Sequence, residues 1–357
     1  MPELLSVNYQ LAKLLRKNVV LEEYTGIYCG YCPDGHKKGK EFAEDYPGDV
    51  MLINIHTGSY ASPSGSDPDY RTTHGSSLAG QASIGVYPAG TINRRVFSGY
   101  EQAGGTAMSR SYWQPMGETV LTEDSYVNVA ADAIIDPTTR ELTVNFEAYF
   151  TASGAPSSMK YHVAVLQSNI KGPQNGGSTF YPAEVNPDGT YNHHHMLRKL
   201  ITGTTGNSIS TTTVGTLVEE SETWTIPDDL NGVDLVLEDL EVVVFVSETN
   251  QNIITGAKAH TGFLGVNEFA SELEFGLSVF PNPVVDIVNV RLDLKQDAQV
   301  NIEVLNLVGE VVSNNGAESM TIGTNLTSVD VANLPKGIYF VRATINDAVE
   351  VRKITVQ

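Results

Sequence analysis

Val20-Leu21-Glu22-Glu23-Tyr24-Thr25-Gly26-Ile27-Tyr28-Cys29-Gly30-Tyr31-Cys32-Pro33 carries the reading on which the fold turns. Its apolar beginning, taken back to Asn18, is a short buried strand. Residues 37–46 have helical composition, and Pro33 is acceptable in a helix's first turn, where its missing amide would have no partner. The cysteines therefore fall between a strand and a helix start. A helix N-terminus stabilises the thiolate of the first, and the three-residue spacing lets the second close a disulfide. Gly30 removes side-chain crowding between them. The chain holds only two cysteines, both in this window, so they are no scattered disulfide framework. They are a redox couple, a short structural disulfide or half a metal site. Zinc normally takes four ligands, and His36 is the only further ligand nearby in sequence.

Reading outward, Met51-Leu52-Ile53-Asn54-Ile55 is a second apolar strand. A long polar segment, 58–69, contains Ser62-Pro63-Ser64-Gly65. A helix is expected through Leu78, Gly80 and Ala82, and Gly85-Val86-Tyr87-Pro88 leads into a third strand near 91–97. Residues 105–118 read as helical. This strand–helix–strand order predicts an α/β layer domain over residues 1–118. Residues 119–268 change character: Val127-Asn128-Val129, Leu142-Thr143-Val144-Asn145-Phe146 and Tyr161-His162-Val163-Ala164-Val165 alternate at period two, and 242–246 is apolar throughout. Turn chemistry at Asp136-Pro137, Gly154-Ala155-Pro156 and Asn231-Gly232 separates them, which predicts an antiparallel β-sandwich. Only 193–202 departs, reading as a short helix or ordered loop. Residues 277–357 are regular β again, with strands expected near 287–293, 299–306, 309–313, 338–344 and 348–356. Their turns fall at Pro281-Asn282-Pro283, Gly309, Gly316 and Gly337.

Charged residues make up 18% of the 357, and the net charge is −20. That balance suits a β-rich extracellular protein and argues against a nucleic-acid or anionic-membrane partner. No run approaches the roughly 18 apolar residues of a membrane span. Residues 1–20 mix Glu3, Lys13, Arg16 and Lys17 with apolar positions, an amphipathic stretch and not a signal peptide. An exported chain would already have lost its signal.

The strand running into an aromatic residue and then Cys29-Gly30-Tyr31-Cys32 resembles the thioredoxins and protein disulfide isomerases. The resemblance implies Cys29 as the attacking thiol and Cys32 as the resolving one. It places Glu23 where disulfide isomerases hold a buried acid that takes the resolving thiol's proton, and Pro88 where the family has a cis-proline facing the disulfide. Two features depart from the pattern: Pro33 stands where many thioredoxins have a basic residue, and 58–69 is positioned to cover or rebuild the substrate groove.

Tyr191-Asn192-His193-His194-His195-Met196-Leu197-Arg198 gathers three of the eight histidines. His193 and His195 are candidate metal ligands by their i, i+2 spacing, but no cysteine or close carboxylate accompanies them. Packing against the sandwich is the simpler expectation, and neither a metal nor a cofactor is assigned. Together with the front domain, this stretch resembles the outer membrane protein 28 family of Bacteroidetes, over about residues 15–265. That family includes proteins discussed as adhesins.

Leu277-Ser278-Val279-Phe280-Pro281-Asn282-Pro283, with Leu334-Pro335-Lys336-Gly337-Ile338-Tyr339-Phe340-Val341 further on, resembles a type A C-terminal sorting domain of the type IX secretion system. The resemblance implies the secretion machinery as a partner through 277–357, export through the periplasm, and release or attachment at the outer-membrane surface. The expectation is thus a thioredoxin-like α/β domain followed by two antiparallel, immunoglobulin-like β-sandwiches. Its function would be thiol–disulfide exchange on thiols or disulfides of exported proteins. The alternative is a non-catalytic surface adhesion protein in which Cys29–Cys32 is structural.

Overall fold

The computed structural model describes residues 16–263, 275–281, 284–306, 311–345 and 348–356. The chain divides into two compact units, Met1–Leu264 and Gly265–Gln357.

In the first unit, β1 (Val19–Thr25) is buried at every position. It lies between β2 (Val50–His56), paired parallel in register Val19↔Val50, and β3 (Ala89–Ile92), paired antiparallel with Tyr24↔Ala89. Successive strand residues face opposite sides, so β1 feeds two cores. Val19 and Leu21 pack with Phe42, Leu52, Trp113 and Val120, under α1 (Cys32–Asp45) and α3 (Trp113–Leu121). Val20 and Tyr24 pack with Ile53, Leu78, Leu166 and Phe245, under α2 (Gly75–Ala82).

The expected boundary at 118/119 is crossed by a single sheet. Its nine strands place Ile253–Lys258, Leu240–Ser247, Lys160–Gln167 and Met196–Leu200 beside β2, β1, β3 and a short final strand, with Asn207–Ser208 attached to Lys160–Gln167. The seam is polar: the Asn54 amide donates to the His195 carbonyl at 2.8 Å, and Asn54 Nδ2 to that of His194 at 2.8 Å. This seam corrects the expectation for 193–202. Most of those residues are strand: Met196–Leu200 forms a strand because β2 offers Met196 an open parallel edge, His193 ends the strand Tyr191–His193, and only His194, His195 and the turn at 201–202 lie outside strands.

A second sheet of Leu217–Thr225, Glu141–Phe150, Val127–Asp136 and His260–Phe263 packs on the far half of the first. Their shared core holds Phe146, Phe150, Val163, Val165, Val242 and Val244. The protein is therefore mostly β, and its longer helices are confined to the first part of this unit, with a single further α-helical turn at Gly177–Phe180.

The second unit has three-stranded and four-stranded sheets among its described residues. They enclose Val288, Val290, Leu292, Ile302, Val304, Val341, Ile345 and Ile354. The strands expected near 287–293, 299–306, 338–344 and 348–356 are present, while 311–313 open a longer strand, Val311–Met320. Gly323–Asp330 is a strand with no sequence signal, since Val329 is its only fully buried residue. The turn residues Asn282, Pro283 and Gly309 lie outside the described residues.

Burial of β1 leaves Glu22 1% exposed. Arg94 answers it through Nη2–Oε1 at 2.6 Å and Nε–Oε2 at 2.9 Å. The guanidinium also donates to the Asn250 carbonyl at 3.0 Å and lies 5.2 Å from the Phe245 ring centre. Breaking a buried pair strands a charge, at about 3–5 kcal/mol. Arg94→Met is expected to lose that much stability in denaturant unfolding, and adding Glu22→Gln to recover most of it. Equal stability of Arg94→Met and wild type would contradict the pairing.

Candidate active site around the cysteine pair

Cys29 and Cys32 are joined in a disulfide. The Cys29 amide donates to the Gly26 carbonyl at 3.0 Å and the Cys32 amide to that of Cys29 at 3.3 Å. This turn delivers Cys32 as the first residue of α1, with Pro33 in the first helical turn. The Tyr87–Pro88 peptide is cis. Glu23 points under α1: a β-carbon at Gly35 would collide with Glu23 Oε1, and would lie 3.2 Å from Pro88 Cβ and 3.2 Å from Trp113. Glycine at 35 is therefore what lets the carboxyl, the proline and the helix meet.

Glu23 is 2% exposed and its Oε1 has no hydrogen-bond partner among the described residues. Burial raises its pKa well above the ordinary carboxylate range; Arg110, which is paired with Asp34, offsets this only in part. Its nearest imidazole nitrogen, His36 Nε2, stands 3.8 Å away. Burial, then His193 and His194, lowers the His36 pKa to about 3. Burial thus disfavours the charge on both groups, and with His36 neutral at pH 7 they form no ion pair. His36 instead bonds Thr25 Oγ1 at 2.9 Å and the Tyr191 hydroxyl at 3.0 Å.

Behind them lies a buried group of rings. His193 is 5.4 Å from His56, 5.1 Å from Tyr70 and 5.1 Å from Tyr191, centre to centre. Burial lowers the His193 pKa to about 4. His195 points elsewhere, pairing with Glu241 at 3.1 Å, so the two candidate ligands do not converge. Among the described residues no group of three or more His, Cys, Asp or Glu side chains is arranged to hold a metal ion. A cavity of about 270 Å³ opens beside this group and is lined by Glu23, His36, Lys40, Glu184, Tyr191 and His194 among others.

Two segments enclose the disulfide. The polar stretch 58–69 braces the back of the cysteine loop: the Tyr28 amide donates to the Tyr60 carbonyl at 3.0 Å, and Tyr28 Oη donates to Asp67 at 2.5 Å. The sequence gives no warning of the other, a strap at 173–180 that lies over the motif. Gln174 Nε2 donates to the carbonyls of Cys29 at 3.1 Å and Gly26 at 3.3 Å. The Asn175 amide donates to Ile27 at 2.8 Å, Gly176 abuts the Gly30 carbonyl, and Phe180 meets Tyr31 at 5.0 Å. Cys29 is left 3% exposed. Pro173-Gln174-Asn175-Gly176-Gly177 is turn-rich, but only the three-dimensional structure shows what it touches. At its base the Pro173 carbonyl lies 3.3 Å from His193 Nε2.

The chain matches the family described as outer membrane protein Omp28 over residues 78–262, just over half its length. It belongs to that family. The match begins after the cysteine motif and runs across residue 118. Residues 278–357 match the secretion system C-terminal sorting domain. This is a secreted or cell-surface protein, and its tail is addressed to the secretion machinery. No helix among the described residues is long and apolar enough to cross a membrane. The chain is similar in structure to HBP35 of Porphyromonas gingivalis, with TM-score 0.55, 19% identity, and coverage of 96% of this chain and 99% of that one. It is also similar to a domain of the outer membrane lipoprotein Omp28 from the same organism, with TM-score 0.27, 14% identity, and coverage of 40% and 92%. No curated protein matches it.

The lowered imidazole pKa values fix a pH dependence. Between pH 6.5 and about 4 the unfolded chain protonates His193 while the folded chain does not. Stability therefore falls as pH falls through that window, by up to about 1.4 kcal/mol per pH unit for each such imidazole. His193→Gln is expected to flatten the decline in urea midpoints measured from pH 7 to pH 4.5. An unchanged slope would contradict a neutral, buried His193.

Proposed function

We propose that this Omp28-family chain carries out thiol–disulfide exchange on exported polypeptides through a thioredoxin-like front half, with Cys29 as the sulfur that meets substrate. The observation that carries the reading is the buried Glu23 beneath the first turn of α1, its carboxyl pKa raised by that burial. A substrate thiolate attacks Cys29 Sγ, the Cys29–Cys32 bond breaks, and Cys32 leaves as a thiolate. Glu23 supplies the proton that neutralises it. A second substrate thiolate then attacks the mixed disulfide and expels Cys29, so the substrate dithiol is oxidised and the protein disulfide reduced. The reverse sequence reduces a substrate disulfide, with Glu23 as base toward Cys32. The cavity beside Glu23 and His36 is the route by which that proton exchanges with solvent. The order of β1, β2 and β3 around the motif, with Pro88 just before β3, supports the thioredoxin-like reading. The tail, 277–357, would bring this chemistry to the cell exterior and attach or release it there.

The strap favours a second reading, in which the disulfide is structural and the protein binds surface partners without turnover. Its bonds to four carbonyls of the cysteine loop, those of Gly26, Ile27, Tyr28 and Cys29, and the 3% exposure of Cys29 mean that exchange requires the strap to lift. Variants separate the two readings. Asn175→Pro removes the amide that holds Ile27, and Gln174→Ala removes the side-chain bonds. Together they are expected to speed insulin reduction about tenfold, the worth of one or two net hydrogen bonds. Cys29→Ser is expected to abolish it. Absence of turnover in wild type and strap variants alike would establish the structural reading.

Glu23→Gln has a double signature. Because the folded pKa of Glu23 is raised, the unfolded chain sheds a proton above pH 4.5 that the folded chain keeps, so stability falls as pH rises from there. The glutamine variant is expected to be more stable than wild type at pH 7 by at least about 1 kcal/mol and slower in exchange by about 100-fold. A variant that gains stability and keeps full activity would remove Glu23 from the mechanism.

A further inference from the structure

A cleft of about 470 Å³ lies elsewhere in the first unit, between the N-terminus of α2 and the strand Met196–Leu200. In a chain of net charge −20 its lining carries three cations, Arg198, Lys199 and Arg71, against one acid, Asp69, with His74 beside them. Arg71 is satisfied by Asp69, with Nε–Oδ1 and Nη2–Oδ2 both at 2.8 Å. Arg198 is not. It is 2% exposed and forms no ion pair among the described residues, and its Nε has no hydrogen-bond partner. Its other nitrogens reach only the Val233 carbonyl at 2.8 Å and Met196 Sδ at 3.7 Å. Asp229 acts on it from a distance.

A buried guanidinium without a carboxylate carries a desolvation cost that a bound anion would offset. The second cationic element is the helix itself. The first turn of α2, with His74 at the cap and its Nε2 unpartnered, faces the same cleft, and helix N-termini favour negative charge. The remaining wall is hydroxylated, with Ser62, Thr73 and Ser76 beside the Asn231 amide. Such a lining suits hydroxyl groups better than an apolar chain, and the space is far larger than a bare phosphate fills.

We propose that this cleft is a binding site for a sugar phosphate, with the phosphate between Arg198, Lys199 and the first turn of α2 and the sugar hydroxyls against Ser62, Thr73 and Asn231. The site is independent of the cysteine chemistry and stands or falls without it.

The test is calorimetric titration of the full chain with glucose 6-phosphate, glucose and inorganic phosphate. Glucose 6-phosphate is expected to bind with a Kd of about 0.1–1 mM, at least about tenfold more tightly than inorganic phosphate, and glucose not to bind. Arg198→Met tests the buried guanidinium directly. Because that variant may unfold, Ser76→Asp and Lys199→Glu are measured beside it. An acid in the first helical turn favours the helix yet repels a bound phosphate, so Ser76→Asp keeps the fold. Both are expected to weaken glucose 6-phosphate binding at least about tenfold. No binding by the wild type, equal affinity for inorganic phosphate, or binding unchanged in Ser76→Asp and Lys199→Glu would each overturn the proposal.

Discussion

The structure depends on one demand: β1 is buried on both faces, yet it carries two adjacent carboxyls. Strand geometry sends them to opposite layers, and each layer solves the problem differently. Glu22 is met by Arg94 with two short bonds, the guanidinium held against Phe245 and the Asn250 carbonyl. Glu23 has no such partner, and burial raises its pKa well above the ordinary carboxylate range. One carboxyl ties the two halves of the first unit together, and the other lies buried under α1.

The first solution explains why the front α/β region is not a separate domain. Arg94 reaches across to 250, Asn93 exchanges bonds with Ile253, and Asn54 joins the His195 strand. Buried polar groups need partners, and here the partners belong to the later part of the chain. The strap follows from the same merger. The ribbon of Ile170–Gly172 and Tyr191–His193 grows from the shared sheet and sets 173–180 over Cys29. A motif that is open in an isolated α/β domain is thereby roofed by its own chain.

Local elements were legible in the sequence where burial imposes a period. The runs that became β1 and β2, the helix after Pro33, and the alternating strands of the second unit are read from apolar spacing alone. Gly323–Asp330 was not, because one inward valine makes no pattern. The strand at 196–200 was misread because the three histidines before it mask an edge that only β2 completes. At the site, Cys29, Cys32, Glu23 and Pro88 were all named from the motif and its surroundings. His56, Tyr70 and the strap were not, since each matters only through contacts with residues distant in sequence. The i, i+2 spacing of His193 and His195 does not bring them together: His193 packs among buried rings, and His195 pairs with Glu241.

The central claim is that burial keeps the Glu23 carboxyl protonated well above the ordinary carboxylate range, and its own titration tests this most directly. Carbon-13 NMR of the Glu23 side-chain carboxyl, assigned by comparison with Glu23→Gln, reports the charge at each pH in the oxidised protein. The account predicts a protonated-carboxyl shift that persists through pH 7. A carboxylate shift already reached by about pH 5, as for an exposed glutamate with pKa about 4.3, would contradict it.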